Sequence, residues 1–303
     1  MSTPEEQVLL AEHPPVVEVA PAGPEEAAVA RRERLRLLLR SKTFLAGTIL
    51  FGFWVFCALF GRVIAPENPL ATEILAKLQE PSGAHWLGTD SLGRDVFSRV
   101  LAGARDILIV APLATLLGTV LGTVMGLVTG YFRGLVDDIL MRIVDAFLAL
   151  PVVIIGLLAL VALGPSRLTV VIVIGVVFAP IIARTVRAAV LSERELEYVA
   201  AAYLRNERAP YIMFAEILPN VAAPILVEFT VRLGYAIFAI ATLSFLGFGI
   251  QPPAPDWGLQ IFEHYGLISG GFWWPTLFPA LAIATLVVGV NLIADGITHV
   301  FER

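Results

Sequence analysis

The stretch that decides the fold is "ILIVAPLATLLGTVLGTVMGLVTGYF", residues 107–132, in which no residue is charged. The hydrocarbon core of a bilayer is crossed by about 20 consecutive apolar residues in a helix. This run exceeds that length without a polar interruption longer than one threonine. It therefore predicts a transmembrane helix.

The rest of the chain repeats this pattern. Of the 303 residues 57% are hydrophobic and only 16% charged, and the mean hydropathy is +0.81. Further uncharged stretches occupy residues 43–61, 146–166, 168–183, 233–255 and 271–294. A soluble core of this size could not bury so much apolar surface. We expect an all-α, polytopic integral membrane protein with six transmembrane helices, the fifth beginning near Val221.

The first thirty residues differ in composition. They contain six Glu and five Pro and no Lys or Arg, a composition of low hydrophobicity that cannot offset the entropy of ordering. We predict a disordered acidic tail over residues 1–30 and a transmembrane domain over residues 31–303. No basic start leads into a short apolar run, so no cleaved signal peptide is expected.

The distribution of basic residues predicts the orientation, because Lys and Arg concentrate in cytoplasmic loops. With a cytoplasmic N-terminus, fourteen basic residues lie inside and six outside, and Arg232 lies within the membrane. We therefore expect both termini in the cytoplasm. The formal net charge of −5 comes largely from the tail and does not indicate a nucleic-acid partner.

Several catalytic signatures are absent from the sequence. It has no phosphate-binding loop with a Gly-Lys-Ser/Thr end, no HExxH, no GxSxG and no CxxC pair. The four histidines show no helical metal-ligand spacing, and the single Cys57 predicts a packing role. We expect no catalytic residues and no metal site. If the chain moves a solute against a gradient, another polypeptide must supply the energy.

The loop predicted at residues 184–219 carries the most information. In "SERELEYVAAAYLRNERAPYIMFAEILPN" (residues 192–220), Ser192 followed by Glu195 is a capping-box pattern that predicts a helix start. Helical spacing of apolar residues predicts an apolar stripe on an amphipathic helix, made of Leu196, Val199, Ala200 and Tyr203. Asn206 tolerates the left-handed conformation that ends helices. A second short helix from about Pro210 completes a corner that could enter a groove on a partner, or lie on the membrane surface.

This loop resembles the EAA loop of ABC-importer permeases, the element that docks onto an ATP-hydrolysing subunit. The resemblance rests on Glu197, Tyr198, the Ala200-Ala201-Ala202 run and Leu218-Pro219. Ala200 stands where the family has Glu, and Asn206 stands where it has Gly. Glu197 and Glu207 are the candidates to replace the missing carboxylate.

The predicted external loop, residues 62–106, contains "HWLGTDSLGRD" (residues 85–95). Its end, "SLGRDVFSRVLAGAR", predicts an amphipathic helix on the external membrane surface, with Val96, Phe97, Val100, Leu101 and Ala104 on the apolar face and Asp95, Ser98, Arg99 and Arg105 on the other. Gly88 predicts a turn, and Thr89 or Asp90 a local cap. Two readings stay open. Trp86, Asp90, Arg94 and Asp95 belong to an external gate or binding-protein platform, or the loop only packs against neighbouring helices.

The same loop resembles the dipeptide and oligopeptide branch of the permeases, C-type subunit. "LSFLGFGIQPPAPDWG" (residues 243–258) and "WWPTLFPALAI" with Asn291 and Asp295-Gly296 are similar to two further blocks of that subunit. The resemblance covers residues 41–301 and implies the type I ABC-importer permease fold. It also implies a homologous permease as a heterodimer partner, two ATPase subunits that bind ATP and magnesium, an extracytoplasmic substrate-binding protein, and a bacterial or archaeal cytoplasmic membrane.

Two charged residues fall inside the predicted fifth span. Glu228 and Arg232 are spaced to share one helix face, and ionisable residues in a membrane usually face a partner or an aqueous path. One reading is mutual pairing; the other is that they line a path for zwitterionic peptides, with Asn291. Arg142 and Asp145 are weaker candidates, with interhelical hydrogen bonding as the alternative.

The sequence thus predicts a peptide permease subunit of an ATP-driven importer that binds no cofactor itself. A nickel, glutathione or other small-solute permease is the alternative within the class. Outside it stand a secondary transporter or channel working alone, and a structural membrane scaffold.

Overall fold

The computed structural model describes residues 36–301; the predicted acidic tail, 1–30, lies outside the described residues. Within that range the chain is helical, with one isolated β-bridge, between Thr89 and Asp95. Helices α1 to α11 are, in chain order, Lys42–Ile64, Val96–Phe132, Leu135–Leu148, Val152–Leu163, Arg167–Glu193, Glu197–Leu204, Ala209–Tyr211, Leu218–Asn220, Ala222–Phe245, Trp257–His264 and Trp274–Phe301. The all-α prediction is confirmed.

Five of these helices, α1, α2, α5, α9 and α11, are long and apolar enough to cross a membrane. A sixth span results if α3 and α4 are counted together, although they meet at an angle of 89°. The fifth predicted span begins at Ala222, beside the predicted Val221. The fourth is longer than its uncharged core, running from Arg167 to Glu193.

The third predicted span, 146–166, is not one straight helix. Helix α3 ends at Leu148, and Pro151 is the N-cap of α4. Proline has no N–H for a helical hydrogen bond and disfavours helical backbone in the residue before it. The chain therefore bends at this point, and α4 is only 12 residues long.

Helices α2 and α5 form the most extensive helix pair, and small residues make their approach possible. Gly118, Gly122, Gly126 and Gly130 lie one turn apart on α2, and α5 lies directly against them. A Cβ at Gly122 would come within 2.7 Å of the Ala179 carbonyl oxygen. Small residues at every fourth position let helix backbones approach closely in membranes.

The predicted external surface helix does not exist as a separate element. Residues from Val96 onward form the first turns of α2, with Asp95 as the N-cap whose side chain accepts from the Ser98 amide at 2.8 Å. Ser98 and Arg99, expected on a polar exposed face, are buried. Charged groups from other segments cover that face. The spacing of polar and apolar residues therefore predicted a polar face correctly but not whether that face is exposed to solvent.

Candidate functional site

Residues 197–220, which we call the coupling corner, form a two-armed projection at one end of the helix bundle. The first arm is α6, which ends in a backbone reversal at Asn206 with φ of +56°. There the Asn206 amide donates to the Tyr203 carbonyl at 2.9 Å, and the Glu207 amide to the Ala202 carbonyl at 3.2 Å. This bond pair is the Schellman motif that satisfies the last carbonyls of a helix. The left-handed conformation predicted for Asn206 is confirmed.

The second arm runs from Ala209 to Asn220 and changes helix type on the way. After α7, residues Ile212–Ile217 are π-helical, and the Leu218 amide donates to the Met213 carbonyl. Pro219 has no N–H with which to continue an ordinary helix, which accounts for the wider turn ahead of it. An ion pair of 3.0 Å between Arg205 and Glu216 joins the two arms.

The predicted start of the first arm at Ser192 was wrong. Ser192 lies in the last turn of α5, and α6 begins at Glu197 with no side-chain cap. Of the predicted apolar stripe only Val199 is buried; its buried partner is Ala202, three residues later, whereas Ala200 is exposed. The turn at residues 194–196 rotates α6 relative to the face that its apolar spacing indicated.

The coupling corner is attached to the bundle by aromatic and ionic contacts. The Tyr203 ring stacks on Tyr131 of α2 with centroids 5.9 Å apart. Glu195, two residues before the corner, pairs with Arg133 just beyond α2, and the Tyr198 hydroxyl donates to Glu193 at 2.9 Å. Burial and this bond raise the pKa of Tyr198 to about 12, so the phenol stays protonated. A movement of the corner is thereby linked to the ends of α2 and α5.

The outer surface of the corner is exposed and partly apolar. Glu197, Ala200, Ala201, Asn206 and Pro219 are exposed, whereas Tyr198 and Leu218 are half-buried. Leu204, which the sequence analysis did not single out, is 85% exposed at the bend. A leucine so placed has no packing role inside this chain, and it is suited to contact a partner. Its position at the predicted helix end was the signal that could have identified it.

Glu228 and Arg232 meet inside the bundle. Arg232 Nε donates to Glu228 Oε1 at 2.5 Å, and the side chains are 19% and 11% exposed. The guanidinium also lies 5.2 Å from the centroid of the Tyr235 ring. Within this single chain, Glu228 and Arg232 therefore pair with each other, as the first of the two interpretations predicted. Asn291, on α11, lies against Gly234 of α9.

The two weaker candidates for the substrate path, Arg142 and Asp145, do not contact each other in the ion pairs of the described residues. Asp145 on α3 forms an ion pair of 2.6 Å with Arg184 of α5, and both side chains are about 60% exposed. Arg142 is exposed. A stronger link between the same helices is the Asp137–Arg187 pair, with two bonds of 2.5 and 2.6 Å. Helix α3 is thus held to α5 near the coupling corner.

At the opposite end of the bundle, the 85–95 stretch folds into a tight structure. Gly88 has φ of +74°, and the Asp90 carboxylate accepts from the amides of Leu92 and Arg94 at 2.8 and 3.0 Å. The predicted glycine turn and the Asp90 cap are both present. Trp86 is 62% exposed, but Asp90, Arg94 and Asp95 are buried.

The buried charges join this stretch to α10. Arg94 bonds to Asp90 at 2.5 Å and to Glu263 at 2.8 Å. His264 lies 3.2 Å from the Ser91 hydroxyl and 2.6 Å from the Gln260 carbonyl. Burial lowers the pKa of His264 and favours a neutral ring. The interior of this end is therefore polar and tightly bonded, and Trp86 is the exposed member of the predicted group Trp86, Asp90, Arg94 and Asp95.

Comparison with known proteins agrees with this architecture. Residues 118–303 match the family described as binding-protein-dependent transport system inner membrane component. The dipeptide transport system permease of Alkalihalophilus pseudofirmus is 37% identical over 89% of both chains. The dipeptide permease of Escherichia coli K12 is 39% identical over 87% of this chain and 89% of its own. The glutathione transport system permease of Pectobacterium atrosepticum is 35% identical over 89% of this chain and 90% of its own.

Proposed function

The chain belongs to the family of binding-protein-dependent transport system inner membrane components, and from that membership we propose that it moves dipeptides and other short peptides across the cytoplasmic membrane. It is a multi-pass membrane subunit of an ABC importer and not itself an enzyme. The curated relatives named for dipeptide transport cover nearly the whole chain, which supports peptide as the cargo.

The observation that carries the mechanism is the exposed, internally braced coupling corner. A rigid helical projection suits a groove on a partner, and its ties to α2 and α5 would pass a push to the membrane helices. In this proposal Glu197, Ala200, Ala201 and Leu204 face the ATPase, whereas Tyr198, Ala202, Asn206, Leu218 and Pro219 shape the corner.

The proposed assembly contains this chain, a homologous permease, two ATPase subunits and an extracytoplasmic substrate-binding protein. ATP and magnesium would bind the ATPase subunits. Nucleotide binding and release would move both coupling corners and switch the path between inward-open and outward-open states. Both termini are proposed to be cytoplasmic, in agreement with the basic residue distribution.

A single exposed residue tests this coupling. Leu204→Asp places a charge at the bend without disturbing buried contacts, and we expect it to reduce ATPase co-purification and peptide-stimulated ATP hydrolysis at least tenfold. Leu75→Asp is the matched control, because Leu75 is 93% exposed on the 62–106 loop. Unchanged ATPase association in Leu204→Asp would contradict the proposal. Uphill uptake by this chain alone in liposomes would favour a secondary transporter instead.

The Glu228–Arg232 pair is the proposed peptide contact inside the membrane, and Asn291 of α11 is a further candidate for the path. A zwitterionic peptide offers an ammonium for the carboxylate and a carboxylate for the guanidinium, so each charge can exchange one partner for another. We expect Glu228→Gln and Arg232→Gln to lower peptide uptake at least tenfold in assembled complexes. Full uptake by both folded variants would show that the pair is only structural.

The cargo alternatives need a direct measurement, because one relative is named for glutathione transport. Competition of labelled dipeptide uptake by glutathione and by Ni²⁺ in proteoliposomes separates the three. Trp86 is the exposed residue of the proposed binding-protein platform, with Asp90, Arg94 and Asp95 supporting it from within. A cross-linking scan through residues 85–105 that never traps the binding protein would remove the platform.

A further inference from the structure

Three potential metal ligands meet at the end of the bundle opposite the coupling corner. Glu67 follows α1, His85 lies in the following loop, and Asp95 begins α2. His85 Nδ1 is 3.2 Å from Glu67 Oε1 and 3.3 Å from Asp95 Oδ1, and the three ligand atoms lie within 4.8 Å of one another. The residues are far apart in sequence, which is why histidine spacing along the chain did not predict the cluster.

Hydrogen bonds outside the cluster hold two of the ligands in place. The Ser98 amide donates to Asp95 Oδ2 at 2.8 Å, which leaves Oδ1 free to point at His85. The Ser98 hydroxyl accepts from the Glu67 amide at 3.2 Å. One serine thus positions the segments of both carboxylates, as outer-shell partners do in metal sites.

The two distances from His85 agree with a tetrahedral metal. With bonds of 2.0 to 2.2 Å to nitrogen and oxygen, neighbouring ligands of a tetrahedral Zn²⁺ lie about 3.3 to 3.6 Å apart. Both distances from His85 Nδ1 are close to this value, and the two carboxylate oxygens lie within 4.8 Å of each other. His85 and Asp95 have side chains 10% and 3% exposed, and the Glu67 side chain is 39% exposed. Glu67 therefore borders solvent, where it has room to close on an ion and a water can occupy the fourth position.

We propose that Glu67, His85 and Asp95 bind a divalent cation of the Zn²⁺ class. Two carboxylates and a neutral imidazole supply a net charge of about −2, which such an ion neutralises. The ion would fasten the end of α1 to the start of α2 through the loop between them. In the absence of the ion, the His85 ring contacts both carboxylates directly.

Zinc titration of the purified full-length chain in detergent, after chelator treatment, tests the site. Glu67→Gln removes one anionic ligand. Asp95→Asn removes another but keeps a residue that caps helices well. Glu80→Gln is the matched control, since Glu80 is exposed on the same loop. Stoichiometry and Kd are measured by calorimetry, and hydrogen exchange of residues 80–96 is followed with and without Zn²⁺.

We expect one equivalent of Zn²⁺ to bind the wild-type chain and Glu80→Gln, with slower exchange in the loop. In Glu67→Gln and Asp95→Asn the Kd should rise at least about 100-fold, above the 10–100-fold typical of outer-shell changes. Equal affinity in all four proteins, or no stoichiometric binding to the wild-type chain, would overturn the proposal. The proposal would also be overturned if Zn²⁺ slowed hydrogen exchange of residues 80–96 in both Glu67→Gln and Asp95→Asn as it does in the wild-type chain.

Discussion

Asp256 shows how one buried carboxyl can set the pH dependence of stability. It is the N-cap of α10, and its Oδ1 accepts from the Leu259 amide at 2.8 Å. Its Oδ2 has no partner. Burial raises the pKa of Asp256 from 3.8 to about 6. The folded state therefore holds a proton between about pH 4 and 6 that the unfolded chain has released, so stability falls as pH rises through that window.

Asp256→Asn should remove this pH dependence, because asparagine is also a good N-cap. We expect the variant to be more stable than the wild type at pH 8 by at most about 3 kcal/mol, from a shift of about two pKa units. The difference should vanish near pH 4. Thermal unfolding in detergent at both pH values measures it. A variant no more stable than the wild type at pH 8 would contradict the expectation.

Asn206 holds the bend of the coupling corner with a positive φ. Outside glycine, this conformation is best tolerated by asparagine and aspartate, whose short polar side chains bond locally. The replacement of the family's glycine by asparagine is thus conservative in backbone terms, although it changes the side chain.

Asn206→Gly should preserve the corner, and Asn206→Val should destabilise it by about 1–2 kcal/mol, because a β-branched residue fits the left-handed region poorly. Proteolysis of the 184–219 loop and ATPase co-purification measure the effect. Equal behaviour of the two variants would show that the bend does not depend on this conformation.

At the scale of elements, the pairing of α2 with α5 depends on the absence of side chains. At Gly126 a Cβ would come within 2.7 Å of Val186 Cβ and 2.8 Å of the Ala183 carbonyl oxygen. At Gly52 on α1 a Cβ would meet nothing within 4 Å. Gly126 is therefore required for the close approach of α2 and α5, whereas the packing of α1 does not require a glycine at position 52.

Gly126→Ala should separate α2 from α5 and cost about 1–3 kcal/mol, as overpacking typically does. Gly52→Ala, the matched control, should be neutral or slightly stabilising, because alanine favours the helix over glycine. Thermal melting of the purified variants compares them. Similar melting temperatures for both would mean that the helices adjust freely at Gly126.

At the scale of the whole molecule, the two ends of the bundle differ in construction. The coupling corner buries Val199, Ala202 and Ile217 and exposes Leu204, whereas the opposite end is joined by the ion pairs of Arg94 with Asp90 and Glu263. The basic residue distribution predicts that the end with the coupling corner is cytoplasmic.

Cysteine labelling of intact cells tests this orientation. The single Cys57 is buried, so Cys57→Ala provides a background for Gly83→Cys and Ala201→Cys, at exposed positions of opposite ends. A membrane-impermeant maleimide should label position 83 in intact cells and position 201 only after lysis. The reverse pattern would invert the predicted topology.

The sequence by itself determined the helical class, five of the six predicted spans and the family resemblance, because bilayer-length apolar runs and local turn residues such as Asn206 act within a few residues of chain. It misplaced what depends on distant partners: the 146–166 span bends at Pro151, Ser192 caps no helix, and Ser98 and Arg99 are buried. Only the tertiary structure decided which faces are covered. Burial there depends on charged groups that α10 and the loop after α1 bring from elsewhere in the chain, and spacing within one segment carries no record of them.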